Sequence, residues 1–85
     1  MADLNELTAQ EIGRRLRLAR ESAKIRQDEA AKVIGMSRPT LVSIEKGDRR
    51  VRIQELQALA NHYGVSVNAL LRREAVHTDL VPRFR

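Results

Sequence analysis

Apolar residues recur at spacings of three and four positions along most of the chain, which is the pattern of helices with one buried face. The first such stripe comprises Ile12, Leu16, Ala19 and Ala23. Thr8 and Glu11 stand just before it in a capping-box arrangement, in which each side chain accepts a backbone N–H at the helix start. The pattern therefore predicts a first helix that begins next to Thr8.

Four shorter helical segments follow, each bounded by glycine or by a short polar residue. The second is predicted over residues 27–34, ahead of Gly35, and the third over 38–46, between a Ser37 cap and Gly47. The fourth is closed by Gly64 and is marked by Ile53, Leu56, Leu59, Ala60 and Tyr63. The fifth is capped by Ser66 and is anchored by Val67, Leu70 and Leu71. Every strong element is helical, so we predict an all-α fold, a compact five-helix bundle.

The length of 85 residues is enough for one small domain with one modest core. Because the chain has one Phe, one Tyr and no Trp, that core must be aliphatic. We expect an N-terminal arm over residues 1–7, the helical domain over 8–73, and a C-terminal tail or linker over 74–85, where helical periodicity is lost.

The charge of the chain indicates what kind of partner it binds. Sixteen Lys and Arg residues against eleven Asp and Glu give a net charge of +5. This excess indicates an acidic partner, with nucleic acid favoured over a membrane. No apolar run approaches the roughly 20 residues of a membrane span. The absence of cysteine suits a reducing compartment, and we expect a cytoplasmic protein.

The joint between the second and third segments has an unusual composition. Two short helices that cross steeply must approach closely, and Ala31 permits this while Gly35 makes the bend. Leu41 and Ile44 would hold the third helix against the core. The residues left pointing outward are Arg38, Pro39, Thr40, Val42 and Ser43. Short polar side chains at a helix N-terminus, on an outer face, suit a groove walled by phosphates, which is the helix-turn-helix arrangement.

The stretch RQDEAAKVIGMSRPTLVSIEKGDRRVRIQELQALANHYGVSVNALL resembles the DNA-binding domain of the Xre or phage-repressor-like (lambda repressor-like) helix-turn-helix family. The resemblance covers about residues 7–71 in register. It implies a domain whose third helix enters the major groove of double-stranded DNA, usually as a homodimer on a palindromic operator. A sequence-specific transcriptional regulator, most simply a repressor, is the leading hypothesis.

The resemblance also implies roles for individual residues. The base-reading positions are Arg38, Pro39, Thr40 and Ser43. The phosphate-contacting candidates are Gln27, Ser37, Lys46, Arg49, Arg50 and Arg52. Arg20 lies beside the apolar stripe of the first helix, where a guanidinium needs a partner, and the family pattern supplies Glu45 as a structural ion pair.

Two positions depart from the family pattern. Arg26 and Arg52 stand where the family usually has a capping Ser or Thr, ahead of the second and fourth helices. Loss of a cap costs about 1 kcal/mol, so we expect both helices to begin less sharply.

Other functions have less support in the sequence. His62 and His77 are isolated, and no catalytic constellation or glycine-rich phosphate loop is present, so we predict neither an enzyme nor a metal or cofactor site. We expect the arginines of the first helix to form a solvent-exposed face and not a DNA contact. An antitoxin that binds a toxin partner and regulates its own gene remains an alternative, because antitoxins share this domain. A third possibility is the N-terminal part of a longer regulator with an ImmA/IrrE-type peptidase-like domain.

Overall fold

Five α-helices form the secondary structure of residues 7–72, the part of the chain that the computed structural model describes. They are α1 (Ala9–Ser22), α2 (Gln27–Val33), α3 (Arg38–Lys46), α4 (Ile53–Tyr63) and α5 (Val67–Leu71). The predicted all-α, five-helix fold is confirmed. The predicted tail and all but the last residue of the predicted arm lie outside the described residues.

The core is aliphatic, as the composition requires. Its largest fully buried side chains are Leu16, Leu41, Ile44 and Leu59. They come from α1, α3 and α4, and small residues of α2, Ala30 and Ala31, are buried beside them. The third helix packs against both α1 and α2, so its position is set from two directions.

Two residues that were expected to face the core are exposed. Ile53 is 56% exposed, and it is the first residue of α4. Because side chains on a helix point toward its N-terminus, that of Ile53 extends past the start of α4. Leu71 is 39% exposed because it follows the buried Leu70, and adjacent residues on a helix point about 100° apart. The second helix ends one residue early, at Val33, with Ile34 at its C-cap position.

The close approach of α1 to α3 depends on Gly13, a residue that the sequence analysis did not single out. A Cβ at this position would overlap the carbonyl oxygen of Ile44 and would lie 2.7 Å from that of Glu45. The backbone of α1 therefore lies directly against the C-terminal half of α3. Gly35 has a φ of 76°, the left-handed conformation that the predicted bend between α2 and α3 requires.

The helix starts differ in how they are capped. Thr8, Ser37 and Ser66 each accept a backbone N–H from the first turn of their helix, as predicted. Arg26 and Arg52 provide no side-chain cap, because a guanidinium has no acceptor. In α4 the missing cap is partly replaced, since the backbone N–H of Arg52 donates to the Glu55 carboxylate at 2.9 Å.

Candidate nucleic-acid interface

The N-terminal tip of α3 is fixed by two hydroxyl groups. The Ser37 Oγ accepts the backbone N–H of Thr40 at 3.2 Å and lies 2.8 Å from the Thr40 Oγ1. Pro39 occupies the first turn, where its missing N–H would have no intrahelical acceptor. The tip is therefore locally ordered before any ligand is present, since Ser37 accepts the Thr40 N–H and Pro39 has no N–H to satisfy.

The inner side of α3 is buried almost completely. Leu41 and Ile44 enter the aliphatic core, and Glu45 is only 7% exposed. A carboxylate at that depth requires partners, because burying a charge without them costs several kcal/mol. The groups that surround the Glu45 carboxylate therefore determine how firmly α3 is held.

Arg20 is the principal partner of Glu45. Its Nε donates to one carboxylate oxygen at 2.7 Å and its Nη2 to the other at 3.1 Å, a bidentate geometry. The remaining nitrogen, Nη1, donates to the backbone carbonyl of Ile25 at 2.9 Å. The hydrogen bond with Glu45 raises the pKa of the Arg20 guanidinium, although burial acts the other way. One side chain of α1 thus links α3 to the segment that leads into α2.

Gln27, the first residue of α2, connects the buried pair to the surface. Its Nε2 donates to the Glu45 carboxylate at 3.0 Å, and its Oε1 accepts from the Arg38 Nη2 at 3.3 Å. Arg38 itself is exposed. A continuous chain of hydrogen bonds therefore runs from Arg20 through Glu45 and Gln27 to the tip of α3.

The four predicted base-reading residues lie on the side of α3 away from the core. Arg38 and Pro39 are exposed, and Thr40 and Ser43 are half-buried. The arrangement presents one cation, one apolar ring and two small hydroxyls along one side of a nine-residue helix. These are groups that can contact base edges in a major groove.

The end of α3 and the loop from α3 to α4 contain cations in two different states. Lys46, Arg50 and Arg52 are exposed, and their charged groups make no hydrogen bond within the described part of the chain. Arg49 instead donates from both terminal nitrogens to the two Glu55 oxygens, each at 3.0 Å. Of the loop cations predicted to contact phosphate, Arg49 alone is engaged in an ion pair among residues 7–72.

An open groove between α1 and the start of α2 extends the surface beyond α3. Arg17 and Arg26 lie along it together with Gln27 and Arg38. Arg17 belongs to the predicted solvated face of α1, and it forms an exposed pair with Glu21 at 3.3 Å. Its position three residues before Arg20, on the same side of α1, was the available signal that it borders this groove.

Within residues 7–72, no group of three or more His, Cys, Asp or Glu side chains could hold a metal ion. None of the helices in this range has the length and apolarity needed to cross a membrane.

The chain is similar in sequence and in structure to known proteins. Residues 11–75 match the family model described as a helix-turn-helix domain. No curated protein gives a significant match. The structure is similar to that of ClgR, the clp gene regulator of Corynebacterium glutamicum, with 26% identity and a TM-score of 0.76, covering 82% of this chain and 74% of that one.

Two further solved structures contain DNA. The P22 c2 repressor in complex with a synthetic operator is 28% identical, with a TM-score of 0.66, and the match covers 74% of this chain and 96% of that one. SinR, a master regulator for biofilm formation, in complex with DNA, is 31% identical, with a TM-score of 0.65, over 71% of this chain and 97% of that one.

The family model spans most of the chain, and the neighbouring structures are similar to it in fold over 71–82% of its length. The chain therefore belongs to the helix-turn-helix domain family, in its Xre or phage-repressor-like (lambda repressor-like) branch, and is a DNA-binding transcriptional regulator.

Proposed function

We propose that this protein is a sequence-specific repressor that binds a palindromic operator as a homodimer and reads the major groove with α3. The observation that carries the proposal is the way in which α3 is held against the rest of the domain. The inner side of α3 is fixed by Leu41, Ile44 and the Arg20–Glu45 pair, whereas its outer side carries the four predicted base-reading residues, two of them exposed and two half-buried. A helix held in this way can be placed in a groove without rearrangement of the domain.

Arg38 is the main base-reading residue in this proposal. An arginine at the tip of a recognition helix can donate to guanine O6 and N7 at once, a contact that contributes about 1–3 kcal/mol of discrimination between bases. The single hydrogen bond to Gln27, at 3.3 Å, orients the guanidinium and is long enough to be exchanged readily for a shorter one. Pro39 and Thr40 offer apolar contact to a thymine methyl, and Ser43 offers a hydroxyl.

Phosphate contacts would set the orientation of the domain on the duplex. Lys46, Arg50 and Arg52 are the loop cations that are free to neutralise phosphates. Gln27 retains one N–H of its amide for the same purpose, since only one is donated to Glu45. Ser37 lies at the α3 N-terminus, where the backbone N–H groups carry partial positive charge.

Dimerisation is part of the proposal because one recognition helix covers only a half-site. Exposed apolar side chains on α4 and α5, Ile53 and Leu71, provide surface for a second copy. A symmetric dimer would place two α3 helices on one face of the duplex, with half-sites about 34–36 Å apart, one helical turn.

Selection of bound sequences from a pool of random duplexes tests the proposal directly. We expect enrichment of a two-fold symmetric site whose half-sites lie one helical turn, or a multiple of it, apart. Enrichment of a single half-site would contradict dimer binding, and a pool that remains random would contradict sequence-specific recognition. Placing the selected site over a reporter promoter then tests repression, and increased transcription would contradict the repressor role.

A further inference from the structure

Glu55, in the first turn of α4, places a carboxylate beside the loop that the proposed function places next to DNA phosphates. A negative charge there should oppose binding, unless it performs another task. It contacts the loop at two points. It accepts the Arg52 backbone N–H at 2.9 Å and receives two hydrogen bonds from the Arg49 guanidinium, each at 3.0 Å.

The Arg49–Glu55 pair has the geometry of a clamp. Both side chains are partly shielded, Arg49 being 33% and Glu55 21% exposed, and the fork of the guanidinium faces both carboxylate oxygens. The hydrogen bonds from Arg49 lower the pKa of the Glu55 carboxyl, and the same contact raises the pKa of Arg49. The pair thus remains charged over the physiological range.

The other end of the loop is attached to α3. The backbone N–H groups of Asp48 and Arg49 both donate to the Ser43 carbonyl, at 2.9 and 3.3 Å, and that of Gly47 donates to Ile44. The loop is therefore fixed to α3 by its backbone and to α4 by Glu55. The two free cations, Arg50 and Arg52, lie directly after Arg49 and at the N-cap of α4.

We propose that Glu55 is a positioning residue for DNA binding: by clamping Arg49 and capping Arg52, it fixes the loop so that Arg50 and Arg52 face the phosphates. On this account Arg49 supports the loop and makes no phosphate contact. The inference rests on the proposed function, because it assigns a role within the same interface.

The test compares two substitutions that remove one negative charge from the same region. Asp48 is exposed, and its side chain makes no hydrogen bond within the described residues. Asp48→Asn should therefore tighten binding to a selected duplex, because it only reduces repulsion. Glu55→Gln should weaken binding by about tenfold, the loss typical of a broken charge-assisted hydrogen-bond network, despite the same change in net charge. Tighter or unchanged binding by Glu55→Gln would overturn the inference.

A double-mutant cycle separates the clamp from a direct phosphate contact. If Arg49 only supports the loop, Arg49→Gln should weaken binding by no more than Glu55→Gln does, because Glu55 also holds the Arg52 N–H. The double variant should then be no worse than Glu55→Gln alone. The dependence of log Kobs on log salt should keep its slope in Arg49→Gln and become shallower by about 0.9 in Arg50→Gln. Additive effects, or a shallower slope in Arg49→Gln, would show that Arg49 contacts phosphate and would overturn the inference.

Folding and function are controlled separately. Unfolding midpoints identify a temperature at which every variant is fully folded, and binding is measured there. Arg49→Gln leaves the Glu55 contact to the Arg52 N–H in place. If Glu55→Gln unfolds, the salt slopes of Arg49→Gln and Arg50→Gln therefore still show whether Arg49 contacts phosphate. A wild-type protein that binds no duplex in a salt-dependent way would instead overturn the proposed function, and this inference with it.

Discussion

The two sides of α3 differ sharply in how their side chains are held. On the inner side, Leu41 and Ile44 are buried and Glu45 has three hydrogen bonds, from Arg20 and Gln27. On the outer side, Arg38 has one hydrogen bond of 3.3 Å and Pro39 has none from its ring. One nine-residue helix thus combines a firmly held inner side with a tip whose polar groups are available to a ligand.

The comparison shows how a small domain can separate stability from recognition. Substitutions on the inner side should change the free energy of unfolding, and those on the outer side should change DNA binding alone. Gln27 lies between the two sides, because it contacts both Glu45 and Arg38.

Arg20→Ala should have the largest effect on stability. It leaves Glu45 buried without its bidentate partner, and loss of one member of a buried pair costs about 3–5 kcal/mol. The matched control is Arg17→Ala, one turn earlier on α1, which removes an exposed pair worth about 0–1 kcal/mol. Urea unfolding monitored by circular dichroism measures both. Equal losses in the two variants would show that the Arg20–Glu45 pair does not anchor α3.

Gly13→Ala should have the next largest effect. Its Cβ would meet the backbone carbonyls of Ile44 and Glu45, which cannot move without displacing α3, so we expect a loss of about 1–3 kcal/mol and weaker DNA binding. Gly35→Ala is the control, because nothing lies within 4 Å of its Cβ and only the left-handed backbone is strained, at a cost of roughly 1 kcal/mol. Normal stability in Gly13→Ala would contradict the close approach of α1 and α3.

Substitution of Tyr63 should have the smallest effect on the free energy of unfolding at neutral pH and a larger effect on its pH dependence above pH 10. Burial, with the nearby Glu45 charge, raises the pKa of Tyr63 to about 12 from 10.0. Above pH 10 the hydroxyl of this tyrosine ionises in the unfolded chain but stays protonated in the folded one. The contribution of the neutral hydroxyl to the free energy of unfolding is therefore fully present below pH 10 and is lost as the pH rises toward 12.

Tyr63→Phe is the matched variant for this prediction. The Tyr63 hydroxyl has no hydrogen-bond partner among the described residues, so the substitution should change the free energy of unfolding by less than about 1 kcal/mol at pH 7. Its unfolding free energy should also fall less steeply than that of the wild type between pH 10 and 12. Identical slopes would contradict the burial of Tyr63 beneath the ion pair.

The helices could be predicted from the sequence because their determinants are local. Thr8, Ser37 and Ser66 cap their helices through contacts three residues away, and Gly35 bends the chain through its own backbone. The apolar period identified most of the core. It failed at Ile53, whose exposure is set by the helix end, and at Leu71, which lies directly after the buried Leu70 and cannot face the same side.

The contacts between helices could not be predicted in the same way. Glu55 follows Arg49 by six residues across a loop, and nothing in the spacing shows that the two side chains meet. Gly13 resembles any helical glycine until α3 is placed against it. The assignment of Arg49 to phosphate, made from charge and family pattern alone, stays a prediction, and the ion pair with Glu55 favours Arg50 and Arg52 for that role.

The most direct test of the central claim, that the outer side of α3 reads bases, is the effect of Arg38→Ala on two duplexes, one selected and one random. Arg38 is exposed, so folding should be unchanged. We predict a loss of about 1–3 kcal/mol on the selected duplex and a much smaller loss on the random one, whereas Arg50→Ala should weaken both equally. Equal losses for Arg38→Ala on the two duplexes would contradict the claim.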